Sequence, residues 1–169
     1  LYDQSRYFDN ALTRYFQRKG WEISQFSVLR PLSELLIEKI LVERYPELQT
    51  LQVSCHATHK EGDRVHPCGR CEKCRRIVGM LMALKEDPTQ CGYNQEQIDS
   101  CLENLAEKGI HQEIGGVQHL AFLLKQKGLL PKSSVGSVRA RRRSEIMKLR
   151  FDPEKFPIDG IPVDLREPL

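Results

Sequence analysis

Ser54-Cys55-His56 and His66-Pro67-Cys68-Gly69-Arg70-Cys71-Glu72-Lys73-Cys74 decide how this chain folds, because together they spell Cys-x12-Cys-x2-Cys-x2-Cys. Two-residue gaps bring neighbouring sulfurs to one side of a tight turn, and the distant Cys55 can fold over to complete a tetrahedral shell. Gly69 follows Cys68 where a sulfur-wrapping turn wants a positive φ. The pattern predicts a metal site with Cys55, Cys68, Cys71 and Cys74 as ligands.

Outward from this loop the chain reads as helices. A helix starts near Glu72, turns Ile77, Met80, Leu81 and Leu84 inward and ends before Asp87-Pro88. Upstream, Pro31 opens an apolar helix that runs to Tyr45 and is stopped by Pro46. Its apolar residues exceed one stripe, so heavy burial is expected. Downstream, Asn94 can cap a helix reciprocally with Gln97, with Ile98, Cys101, Leu102 and Leu105 as its stripe and Gly109 as its end. Gly115-Gly116 precede another helix, Val117 to Lys127, closed by Gly128. The N-terminal helix carries Tyr7, Phe8, Ala11, Leu12, Tyr15 and Phe16 at helical spacing and ends at Gly20. Trp21 to Leu29 reads as extended. Strand signals are almost absent.

From Pro131 the character changes. Ser133-Ser134-Val135-Gly136-Ser137 resembles a linker, followed by Arg139-Ala140-Arg141-Arg142-Arg143 and a short helix from Ser144 to Leu149. Pro153, Pro157, Pro162 and Pro168 space the apolar residues of an extended arm, suited to a surface of this subunit or of another, as in a homodimer. The expected fold class is mainly α. Residues 1–130 form a helical domain with the zinc-binding four-cysteine loop between two helices, and residues 131–169 form a linker, short helix and arm.

With 169 residues, 40% of them hydrophobic, and a formal charge of +3, the chain has the composition of an ordinary globular protein. Its mild basicity permits nucleic-acid contact without requiring it. No apolar run approaches the roughly 18 residues of a membrane span, and the N-terminus lacks a signal-peptide pattern. A cytoplasmic protein with no membrane contact is therefore expected. In that reducing compartment, close cysteines serve as ligands or redox groups more often than as disulfides.

Zn2+ is the leading metal. Four thiolates leave an excess of negative charge, which Arg70, Lys73, Arg75, Arg76 and the N-terminus of the Glu72 helix can balance. A [4Fe-4S] cluster also uses Cys-x2-Cys-x2-Cys plus a remote cysteine, but its usual following Cys-Pro is missing. A redox pair gives the third cysteine no role. Four cysteines fill a tetrahedral shell, so the site is expected to be structural. Cys91 and Cys101 read as buried thiols outside it. His56, His59 and His66 read as loop or supporting histidines, and His111 and His119 as surface or helix histidines.

Ser54-Cys55-His56, Cys68-Gly69-Arg70-Cys71-Glu72-Lys73-Cys74-Arg75-Arg76, Gly79 and Asp87-Pro88 together resemble the C-terminal part of the 7-cyano-7-deazaguanine synthase family, PP-loop ATPases of queuosine biosynthesis. The likeness covers roughly Arg30 to Asp87. It implies a structural zinc on the four cysteines, beside an N-terminal nucleotide-binding domain or a partner subunit. The family's Ser-Gly-Gly-x-Asp-Ser phosphate loop has no counterpart in these residues, so the resemblance implies a zinc-binding region that does not catalyse alone.

Two other classes remain open. Arg70, Lys73, Arg75 and Arg76, with Arg139 to Arg143, raise a free-standing zinc module that binds nucleic acid or protein, against which stands a solvated, flexible arginine run. The cysteine spacing raises an iron-sulfur protein. No Ser-His-Asp or Cys-His constellation stands out, and no catalytic residue is assigned.

Overall fold

The computed structural model describes residues 5–130, 134–148 and 161–166. The chain forms two compact units, one from residues 1–32 and 149–169, the other from Ser33–Lys148. The fold is mainly α, and among the described residues no helix is long and apolar enough to cross a membrane.

In the first unit, α1 (Arg6–Arg18) begins where Ser5 accepts the Phe8 N–H. It ends in a two-bond Schellman turn: the Gly20 N–H reaches Gln17 O at 3.0 Å and the Trp21 N–H reaches Phe16 O at 2.9 Å. Gly20 supplies the left-handed φ of 73° that the turn requires, and the Trp21 ring stacks on Phe16. The helix thus stops where the sequence places its end. Its stripe is a correction. Tyr7 and Tyr15 are exposed, and the buried residue of α1 is Asp9. A carboxylate tolerates burial here because Arg30 pairs with it and the Gln25 amide donates to it. The Gln25 N–H also donates to Thr13, fixing the irregular segment after Trp21. The expected arm falls largely on residues outside the described ones. Of its remainder, Ile161 is buried and Val163–Leu165 form a 3-10 turn.

In the second unit, α3 (Glu72–Leu84) is central and buries Cys74, Ile77, Val78, Gly79, Met80, Leu81 and Ala83. Around it pack α2 (Glu34–Arg44), α4 (Gln95–Lys108) and α5 (Ile114–Gln126). Gly79 lets α3 and α4 approach, since a Cβ there would stand 2.7 Å from Leu105 Cδ2. The predicted capping box of α4 forms in both directions, Gln97 N–H to Asn94 Oδ1 at 2.8 Å and Asn94 N–H to Gln97 Oε1 at 3.0 Å.

Two helix starts differ from expectation. α2 begins at Glu34 because Ser33, rather than Pro31, caps it, accepting the Leu36 N–H at 3.1 Å. α5 begins at Ile114, so Gly115 and Gly116 lie in its first turn. Ile146 explains one of them, because a Cβ on Gly115 would come within 3.2 Å of its Cδ1.

The stretch expected as a linker is a hairpin of β3 (Ser134–Val135) and β4 (Val138–Arg139), which packs on α4 and α5. Val135 is 1% exposed, and the Gly136 N–H caps Ala106 O at 3.0 Å, so the hairpin belongs to the core. Counting from the N-terminus, β1 (His59–Glu61) and β2 (Arg64–His66) form a further hairpin within the cysteine loop, turning at Gly62 with φ 59°. The short helix after the arginine run is a 3-10 turn over Ser144–Met147. It buries Ile146, whose carbonyl accepts the Ser33 hydroxyl at 2.8 Å. That bond ties the two ends of the unit together.

Candidate metal centre

Three local devices aim four sulfurs at one point. Cys55 sits on irregular chain after the Pro46–Leu51 3-10 turn. The β1–β2 hairpin then reverses the chain and delivers buried Pro67 and Cys68 alongside it. Gly69, at φ 67°, turns the backbone around Cys68, and Cys71 is the N-cap of α3 with Cys74 in its first turn. Gly69 is forced twice over: its φ excludes most side chains, and a Cβ would meet Gln97 Cγ at 2.3 Å.

The sulfurs lie 3.8 Å apart for Cys55–Cys71, 3.8 Å for Cys68–Cys74 and 3.5 Å for Cys71–Cys74, with all four within 4.8 Å of one another. A tetrahedral ion with metal–sulfur bonds of about 2.3 Å needs sulfur–sulfur edges of about 3.8 Å. The four residues singled out by the sequence are thus brought together, close enough to hold a metal ion. Among the described residues they are the one such group of three or more metal-ligating side chains.

The surroundings favour thiolate at one end and thiol at the other. The N–H groups of Ala57 and Cys68 point at Cys55 Sγ from 3.3 and 3.4 Å, yet burial holds that thiol above its usual range. Burial also pushes Cys68 up, but the Arg70 N–H, the Cys55 thiol and the Cys71 N–H outweigh it and bring Cys68 down to about 6. Cys74 is pushed up by burial and by Cys71, in spite of a hydrogen bond from Tyr93. Burial thus opposes ionisation of Cys55 and Cys74, and a divalent cation at the centre would offset that cost.

Cys101, which the sequence reading placed outside the site, and Tyr93, which it did not consider, both border it. The Cys101 thiol donates to Gly69 O at 3.1 Å and is pushed up to about 12 by burial, so it stays a neutral donor under the turn. Tyr93 is buried beside Cys74, with its phenol held above the usual range by burial. The signal for Cys101 was its place one helical turn after Gln97, which packs on Gly69. Cys91 lies away from the cluster, with its thiol on Gln52 Oε1 at 3.6 Å.

Three histidines have defined partners. His59 and His66 form a cross-strand pair with stacked rings 5.7 Å apart, and His66 Nδ1 lies 3.4 Å from Gly92 O. His119 is a buried helix histidine whose Nδ1 accepts the Arg143 N–H, and burial lowers its pKa. Two of the expected cations also make ties within the fold. Arg76 is paired with Glu34 at 3.3 Å, and Arg75 donates to the carbonyls of Gly109 and Arg70.

Comparison of the chain with protein-family models, with curated proteins and with solved structures gave no match. What fold and site define is a mainly helical fold with a four-cysteine cluster close enough to hold a metal ion.

Proposed function

We propose that this chain is a structural-zinc module, the C-terminal region of a PP-loop nucleotide enzyme resembling 7-cyano-7-deazaguanine synthase, and that it does not catalyse alone. The observation that carries the zinc reading is the near-tetrahedral set of sulfur distances. Four thiolates close the shell of a d10 ion and leave no position for water or substrate, which assigns the metal to architecture. A [4Fe-4S] cluster binds each thiolate to a different iron and spreads the sulfurs well beyond the edge of a single-ion tetrahedron. The close sulfurs therefore favour one ion.

In this role the metal joins the segment before the β1–β2 hairpin to the first turn of the central helix, so its binding energy is part of folding. The parent-enzyme reading rests on the motif run from Ser54 to Pro88, with nucleotide chemistry delegated to an N-terminal domain or a partner subunit. The first test is elemental analysis of purified protein with cobalt substitution. One zinc per chain, replaced by cobalt with a tetrahedral tetrathiolate spectrum, is expected. Stoichiometric iron and sulfide would overturn the zinc assignment. The second test reads the native gene upstream of Leu1. A Ser-Gly-Gly-x-Asp-Ser segment there, or in an adjacent gene whose product binds this chain, is expected. Absence of both would remove the parent-enzyme reading and leave the metal module standing.

A further inference from the structure

The arginine run is not a flexible tail. Arg139 lies in β4, paired with Ser134 of β3. Beyond it the Arg141 N–H donates to Gln118 O at 3.1 Å, and the Arg143 N–H to His119 Nδ1 at 3.1 Å. Arg143 also spends its guanidinium on the fold, with Nε on Gln118 Oε1 at 2.9 Å and a terminal nitrogen 3.6 Å from Glu145. Val135 and Ile146, buried on either side, anchor the strand at both ends. The backbone of 138–146 is thus held against α5 while Arg139, Arg141 and Arg142 remain exposed. Among the described residues these three guanidiniums make no ion pair or hydrogen bond of their own.

Charge is concentrated here. Residues 139–148 hold Arg139, Arg141, Arg142, Arg143 and Lys148 against Glu145 alone, a net of +4. The whole chain carries +3, so the remaining residues together carry a net of −1. A segment whose backbone is pinned by hydrogen bonds and that displays exposed guanidiniums loses less conformational entropy when it meets a row of anions than a free arginine-rich tail does.

From this we infer that the 139–142 ledge binds the phosphate backbone of a nucleic acid, without reading its bases. The ligand class is a run of phosphodiesters, since guanidinium forks match phosphate oxygens in pairs and the contact needs no sequence-specific groups. This lies beyond the structural role of the metal and does not depend on the parent enzyme.

The test uses the full metal-loaded chain and fluorescence anisotropy with a labelled oligouridylate and an oligodeoxythymidylate of equal length. Three phosphate contacts at about 0.7 released counterions each give a log–log salt slope of about −2, or about a ten-fold loss of affinity from 50 to 150 mM salt. Arg139→Ala/Arg141→Ala/Arg142→Ala should bring the slope near zero, with helix content and metal stoichiometry unchanged because these side chains hold nothing. Lysine at the same three positions should retain most of the slope. Absence of binding by the native chain at 50 mM salt would overturn the inference, as would a triple alanine variant that binds like it. So would binding to polyglutamate but to neither oligonucleotide, which would make the ledge a dock for an acidic protein.

Discussion

Gly69→Ala tests whether the turn under the metal centre is as constrained as its geometry implies. The substitution places a methyl group on a backbone at φ 67°, where an L-residue costs about 1–2 kcal/mol. The new Cβ would also stand 2.3, 2.6 and 2.7 Å from Cγ, Cδ and Cβ of Gln97, contacts that cannot persist. Gln97 must move, and relief of overpacking of this kind costs about 1–3 kcal/mol. The expected loss is therefore about 2–5 kcal/mol, read as a drop in the urea midpoint at fixed, saturating metal. The two contributions can be separated. Gln97→Ala alone costs on the order of 1 kcal/mol through the capping box of α4. In Gly69→Ala/Gln97→Ala the contacts to Cγ and Cδ are gone while the Cβ contact at 2.7 Å and the φ cost remain, so the double variant should lose less than the sum of the singles, by about 1 kcal/mol. A Gly69→Ala protein within about 0.5 kcal/mol of the native one would refute the constraint. Strict additivity in the double variant would refute the assignment of the clash to the Gln97 side chain beyond Cβ.

The other expectations are shorter. If a metal holds the four cysteines as proposed, chelation, or Cys71→Ser, should lower the melting temperature and reduce helical ellipticity, because metal binding would then be part of folding. A chelated protein that melts unchanged would contradict the clamp. Cys101→Ala should keep one metal per chain but lose on the order of 1 kcal/mol with its bond to Gly69 O, and loss of metal would make it a ligand after all. Glu38 is buried, and burial raises its pKa above the ordinary carboxylate value. A raised acid stabilises the fold below its unfolded-state pKa, and that stability is lost as pH rises through the folded-state value. Glu38→Gln should therefore flatten the pH–stability curve and be the more stable protein at pH 8, as thermal melts across pH would read. An unchanged slope would count against it.

What the sequence disclosed was what short range determines. Asn94 and Gln97 are three residues apart, and their reciprocal cap forms as predicted. Gly20 closes α1 because a Schellman turn needs only the last helical turn and the two residues after it. The metal residues were legible for the same reason: Cys68, Cys71 and Cys74 fix one another's geometry through a single turn and one helix start. Long-range partners decided the rest. The Ser134–Gly136 stretch has linker composition, yet Val135 finds a place on α4 and α5 that no local pattern announces. Gly115 and Gly116 read as preceding a helix that starts at Val117, but both lie in the first turn of α5, where the close approach of Ile146 favours glycine at 115. Asp9 interrupted the expected stripe of α1 because its partner, Arg30, lies twenty-one residues away. Tyr93 stayed outside the site for want of any spacing rule connecting a phenol to Cys74.

The charge balance of the centre follows from the same contrast. Four thiolates beside Arg70, Lys73, Arg75 and Arg76 invite the idea that side-chain cations neutralise the site. The structure assigns Arg76 to Glu34 and Arg75 to two carbonyls, which are ties between helices and loops. The groups that face sulfur are mainly backbone N–H donors: Ala57 and Cys68 on Cys55, Arg70 and Cys71 on Cys68, Gly69 on Cys74, with the Tyr93 hydroxyl added there. Such donors are fixed by the chain path, need no side-chain ordering and persist at high salt, whereas exposed arginines are screened within about 10 Å at 0.1 M. The site is therefore organised by the shape of the backbone between Cys55 and Cys74. This is why Gly69, which contributes no ligand and no charge, is the residue on which that shape depends most.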